Sequence, residues 1–150
     1  MPHSFASLLV HAVFSTKDRE PILTPALRAR LFPYMGGIVR GKRGTALTVD
    51  GPNDHVHLLL HLPTAVSVAE LLNAVKTNSS RWVHEHFLEH GGFAWQAGYG
   101  AFTVSHSKAD AVSRYIDAQE EHHRRVSFQD EFLELLKKHG IAYDLRDLWG

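Results

Sequence analysis

The stretch Asp54-His55-Val56-His57-Leu58-Leu59-Leu60-His61-Leu62 constrains this chain more than any other part of it. Read as a β-strand, its side chains alternate between two faces: His55, His57, Leu59 and His61 share one, and Val56, Leu58, Leu60 and Leu62 line the other. The apolar row requires a core, so the strand belongs to a sheet covered on that side. The other row carries imidazoles. Two histidines two residues apart on a rigid strand hold ring nitrogens close enough to grip one metal ion, with positions left open as a catalytic metal requires. Such pairs also arise by chance in a chain with 12 histidines, so the remaining sequence has to decide.

A chain of 150 residues suits one domain, 1–150, around a single core. It has no cysteine, so a metal would be held by nitrogen and oxygen ligands, which favours a hard or borderline divalent ion over a structural zinc. The apolar run from Phe5 to Phe14 is broken by Ser7 and His11 and has no basic flank. That argues against a signal peptide or membrane span, and a cytoplasmic protein is expected. Basic and acidic residues balance at 16 each, so global charge does not announce a nucleic-acid binder. Locally, Lys17, Arg19, Arg28, Arg30, Arg40, Lys42 and Arg43 face only Asp18 and Glu20 over the same stretch. Phosphate contact and ordinary solvated surface both account for that asymmetry.

Phe5 to Ser15 reads as a buried strand, followed by a polar turn from Thr16 to Pro21. Thr24 caps a helix with Pro25 at its first position, and Leu27, Leu31, Tyr34, Met35 and Ile38 keep helical spacing. Pro33 and Gly36-Gly37 predict a kink or early end there. Ala46 to Asp50 is a short strand, and Gly51-Pro52-Asn53-Asp54 turns it into the histidine strand as a hairpin. Ser67 caps a long helix that turns Leu71, Leu72, Val75, Trp82, Val83 and Phe87 inward. Its other face offers Lys76, Thr77, Ser79, Ser80 and Arg81, hydroxyls beside cations that suit a phosphate backbone or plain water. Phe93 to Trp95 and Tyr99 to Ser105 predict two further strands around Gln96-Ala97-Gly98. Ser107 with Asp110 marks a capping-box start for a helix from Lys108 to about Arg124, whose stripe is Val112, Tyr115, Ile116, Gln119 and His123. A last helix spans Phe128 to Lys138 and stops at Gly140, and the tail from Ile141 to Gly150 packs as an arm.

Tyr115 and Gln119 lie one turn apart on one face, so a phenol and an amide are presented together. If the Gln119 oxygen reaches a metal held by His55 and His57, Tyr115 stands beside whatever that metal polarises. A tyrosine on an apolar stripe is more often core than nucleophile, and its ordinary pKa of about 10 demands a neighbouring cation or base. A divalent ion also offsets charge at a scissile phosphate. The reaction class that fits is phosphoryl transfer through a covalent phosphotyrosine.

The motifs Asp54-His55-Val56-His57-Leu58-Leu59, Lys76 with Ser79-Ser80, Gly98 to Ser105, and Tyr115-Ile116-Asp117-Ala118-Gln119-Glu120-Glu121-His122-His123 together resemble the single-tyrosine HUH transposases of the smallest bacterial insertion sequences, the IS200-like transposase family. The resemblance runs from about Ser4 to Tyr143, and Thr103 stands where the family often has serine. It implies an α+β fold: a ferredoxin-like (RRM-like) antiparallel sheet with helices covering one face and a C-terminal tyrosine-bearing helix. It implies a DNA transposase that cuts and rejoins single-stranded DNA at element ends, with Tyr115 the nucleophile attached to the 5′ phosphate. His55, His57 and Gln119 would be the ligands of Mg²⁺ or Mn²⁺. Lys17, Arg19, Lys76, Ser80 and Arg81 would lie near bound hairpin DNA. The implied assembly is a homodimer whose sites are completed in trans by the partner's tyrosine helix, with no membrane association.

Two other readings compete. A histidine-triad nucleotide hydrolase would need a third histidine at the next alternate position, which is Leu59, and gives Tyr115 and Gln119 no role. An inactive or domesticated relative would keep the fold and bind stem-loop nucleic acid as a regulator.

Overall fold

The computed structural model describes residues 4–149. Four antiparallel strands, β1 (Leu9–Ser15), β2 (Thr45–Asp50), β3 (His55–His61) and β4 (Gly100–Val104), form one sheet in the order β2-β3-β1-β4. Helix α1 (Pro25–Gly41) joins β1 to β2, and α2 (Val68–His86) joins β3 to β4. This β-α-β-β-α-β order is compatible with the ferredoxin-like arrangement. Beyond the sheet come α3 (Ala109–Asp117), α4 (Gln119–His122), α5 (Phe128–Lys138) and a short α6 (Leu145–Leu148). No helix among the described residues is long and apolar enough to cross a membrane.

Alternation decides which side of the sheet meets which helices. Val10, Ala12 and Phe14 of β1 with Val56, Leu58 and Leu60 of β3 pack against Leu27, Leu31, Leu71, Leu72 and Val75 of α1 and α2. The expected caps hold these helices: Thr24 accepts from the Leu27 amide and Ser67 from the Glu70 amide. Pro33 does not break α1, because it sits on the exposed face, where the carbonyl it frees can be hydrated. The opposite face of the sheet is not left open. Val13 and Phe102 meet Phe128, Phe132, Leu135 and Leu136 of α5 in a second core. Gly100 makes this seating possible, since a Cβ there would stand 2.7 Å from the Phe132 ring. The two crossover helices thus cover one face, and the C-terminal helices cover the other.

Three local expectations are corrected. Phe93 to Trp95 is not a strand: it makes a single bridge, Thr16 to Trp95, past the end of β1. Its rings are committed instead to the first core, where Trp95 packs edge-on to Phe14 and Phe93. Ser79 does not face outward beside Lys76, because it is fully buried and accepts the Trp95 indole N–H at 2.9 Å. The helix expected from Lys108 to Arg124 is preceded by a 3-10 turn, His106–Lys108, in which Ser107 faces Ser105 and caps nothing. It also breaks at Ala118, whose φ of −96° and ψ of 13° leave the helical region. Helix α5 ends as expected, with Gly140 at a φ of +66° beyond it.

Candidate metal and tyrosine centre

Strand register places the histidines. Val13 of β1 lies opposite His57, Ser15 opposite His55, and His11 opposite Leu59. His11, His55 and His57 consequently share the sheet face that α5 covers, and all three are buried. Into this cluster α5 inserts Glu131, itself 3 % exposed. Its Oε1 lies 3.0 Å from Nε2 of His57, 3.0 Å from Nε2 of His123 and 3.4 Å from Nε2 of His55. Its Oε2 accepts from the Gln119 amide at 3.0 Å and from the Tyr115 hydroxyl. The Gln119 oxygen faces Nε2 of His55 at 3.4 Å, and Nδ1 of His55 lies 2.7 Å from an Asp54 carboxylate oxygen.

The electrostatics follow from burial and these contacts. Burial works against the Glu131 carboxylate, but bonds from His123, His55 and His57 outweigh it and hold its pKa well below the usual range. Burial also opposes a charged His55, yet Asp54 and Glu131 prevail and raise its pKa. For His57 burial wins, lowering its pKa to about 4, and for His11 burial and the neighbouring His57 lower it to about 3. Burial, together with the adjacent Glu131 carboxylate, pushes the Tyr115 phenol above its ordinary value. In this arrangement the phenol is a neutral donor.

These shifts dictate a pH profile. Both His11 and His57 would titrate near 6.5 when unfolded, but stay neutral in the fold down to about 3 and about 4. Below pH 6.5 the unfolded chain therefore takes up protons that the native chain refuses, costing about 1.4 kcal/mol per ring per pH unit. The contribution of Glu131 is intact above its unfolded value of 4.5, and that of His55 is intact below 6.5, so neither offsets the loss over this interval. Urea denaturation is expected to show stability falling by roughly 2–4 kcal/mol from pH 6.5 to 5. A flat profile would mean that the two rings titrate freely in the fold.

All four residues expected at the centre, His55, His57, Tyr115 and Gln119, converge, and within one chain: the Tyr115 and His57 rings are 5.9 Å apart. The tyrosine thus lies beside the histidines of its own chain. Glu131 and the roles of His123 and His11 were missed. A signal for Glu131 exists, since it falls on the apolar stripe of Phe128, Phe132, Leu135 and Leu136, where a charge needs a buried partner. The expected nucleic-acid contacts lie on two elements, the turn after β1 and α2. Lys76 and Ser80 line a cleft of about 510 Å³ with Gln96 and Tyr99, and Lys76 donates to the Gly98 carbonyl at 2.8 Å. Arg81 is exposed and donates to Asn78. Lys17 and Arg19 form a 3-10 turn after β1 in which Asp18 and Arg19 both have φ near +55°, an uncommon conformation that needs local support. Arg19 finds it 5.5 Å over the Trp149 ring.

The donor set fits a divalent ion. One ligand atom each from His55, His57, His123 and Glu131 lies within 4.8 Å of the others. Three imidazoles and a carboxylate are nitrogen and oxygen ligands of the kind that borderline ions accept.

A family model described as "Transposase IS200 like" matches residues 4–119. The ISDra2 transposase TnpA of Deinococcus radiodurans is 25 % identical over 114 residues, covering 73 % of this chain and 81 % of that protein. A solved Deinococcus radiodurans structure described as a candidate transposase superposes with a TM-score of 0.64 at 25 % identity, over 77 % of this chain and 93 % of that one. A REP-associated tyrosine transposase bound to a REP hairpin shares the fold, with a TM-score of 0.62 at 12 % identity, over 97 % of this chain and 92 % of that one.

Proposed function

The chain belongs to the IS200-like transposase family, and on that premise we propose that it cleaves and rejoins single-stranded DNA at hairpin-bearing element ends through a 5′-phosphotyrosine on Tyr115. The observation that carries this reading is the meeting of the Tyr115 hydroxyl with His55, His57, Gln119 and a carboxylate in one buried cluster. Tyr115 Oη would form a bond to the scissile phosphorus as the bond from phosphorus to the 3′ oxygen breaks. The phenol proton leaves along its bond to Glu131, and the departing 3′ oxygen takes a proton from water. Rejoining reverses these steps with a different 3′ hydroxyl. Mg²⁺ or Mn²⁺ bound by His55, His57 and Gln119 would offset charge at the phosphate and make the phenol easier to ionise. Lys17, Arg19, Lys76, Ser80 and Arg81 are the proposed contacts to hairpin DNA, and a homodimer is the proposed assembly.

A second reading, a relative that binds stem-loop nucleic acid without cutting it, is favoured by one observation: Glu131 already satisfies the cluster's donors. One experiment separates the two. With Mn²⁺ and single-stranded DNA carrying the element's hairpin end, the wild-type protein is expected to form an adduct that survives denaturation and disappears when the metal is chelated. Tight hairpin binding with no adduct under Mn²⁺ or Mg²⁺ would establish the second reading.

A further inference from the structure

The cluster's two strand histidines are held from behind by different chemistry. His55 has the Asp54 carboxylate on its outer nitrogen, a group that only accepts. His57 has an imidazole there: Nε2 of His11 lies 2.7 Å from its Nδ1. The placement follows from register. His11 sits opposite Leu59 on β1, which makes it the diagonal neighbour of His57 on the same face. Its ring lies 5.0 Å from that of His57 at 27°, and Phe102 and Tyr115 pack edge-on around it at 6.1 and 6.2 Å. At 4 % exposure it is fixed by this packing.

We propose that His11 is the positioning residue for His57, fixing the rotation of its ring and serving either tautomer of it. This rests on the metal reading given above. The partner of a ligand histidine's second nitrogen sets which nitrogen carries the proton. In the arrangement described, Nε2 of His57 donates to Glu131 at 3.0 Å, so its Nδ1 accepts from His11. A cation at Nε2 requires the lone pair there, and the same bond then runs the other way, from Nδ1–H of His57 to Nε2 of His11. Protons balance: the one leaving Nε2 of His57 is matched by one arriving at Nδ1 of His11, and both rings remain neutral. A carboxylate or carbonyl in this place could serve only the second state, because each accepts and never donates. His11 therefore lets the centre exchange its Glu131-closed form for its metal-holding form without stranding the Nδ1–H of His57.

The test is Mn²⁺ affinity, read from the electron paramagnetic resonance of the free ion, combined with the His57 tautomer, read from long-range ¹H–¹⁵N spectra without metal and with saturating Mg²⁺. His11→Phe keeps a ring and removes the partner, and is expected to weaken Mn²⁺ binding about 10–100-fold. His11→Gln, whose amide can turn to donate or accept, is expected to stay within about 5-fold of wild type. In wild type the His57 proton is expected on Nε2 without metal and on Nδ1 with Mg²⁺. Wild-type affinity in His11→Phe, or equal losses in folded Phe and Gln variants, would overturn the proposal. So would an unchanged His57 tautomer in wild type, which decides the matter even if His11→Phe fails to fold. His57→Ala isolates the underlying reading: if it binds Mn²⁺ as wild type does, the metal assignment falls and the role of His11 falls with it.

Discussion

Tyr115→Phe is expected to eliminate the covalent DNA adduct, a loss of at least about 10⁴-fold, since deleting a nucleophile leaves only binding and positioning to act. The change removes one oxygen and should leave the fold intact. The Tyr115 hydroxyl is one of several donors to Glu131, and His57, His123 and Gln119 remain to satisfy that carboxylate. Loss of one bond among these costs about 1 kcal/mol. Hairpin affinity is expected to match wild type, because the proposed phosphate contacts lie on the turn after β1 and on α2, and not on the helix that carries the phenol. Electrophoresis of the denatured reaction reads the adduct, and a filter-binding titration reads the affinity. An adduct of wild-type yield in Tyr115→Phe would remove Tyr115 from the mechanism, and another hydroxyl would have to be sought.

Glu131→Ala should produce the largest change in stability. Its carboxylate is buried and receives contacts from α3, α4 and β3, so its removal orphans Nε2 of His57, Nε2 of His123, the Gln119 amide and the Tyr115 hydroxyl together. Breaking a buried charged pair from one side costs about 3–5 kcal/mol, and a loss of that size in unfolding free energy, seen as a lower denaturant midpoint, is expected without metal. Glu131→Gln keeps one acceptor oxygen and should lose less. Added Mn²⁺ is expected to restore part of the loss in Glu131→Ala, because an ion that binds the folded chain and not the unfolded one stabilises it by mass action. An unchanged midpoint in Glu131→Ala would mean that α5 does not hold Glu131 in the cluster in solution.

Much of this was legible in the residues. Alternation from His55 to Leu62 correctly assigned its two faces, and capping chemistry located the starts of α1 and α2 because Thr24 and Ser67 act on amides three residues away. The Phe128–Lys138 helix was equally plain, since its stripe and its glycine stop are local signals. Phe93 to Trp95 misled because aromatic residues favour strands and buried plugs alike, and only the position of β1 distinguishes the two. Ser79 misled because a small hydroxyl among cations looks solvated until the Trp95 indole arrives from 16 residues away.

Which residues could do chemistry follows from local periodicity: a two-histidine strand and a helix presenting Tyr115 with Gln119, each set by a period of two or of about 3.6 along the backbone. What meets them follows from the packing of separate elements. That α5 returns across the second face of the sheet and delivers Glu131 to three histidines depends on Gly100 leaving room for Phe132 and on Phe128 seating 4.5 Å from the His55 ring. The contact of His11 with His57 depends likewise on a strand register 46 residues apart in the chain. Periodicity fixes the direction of a side chain relative to its own element, whereas its partner is fixed by how separate elements pack.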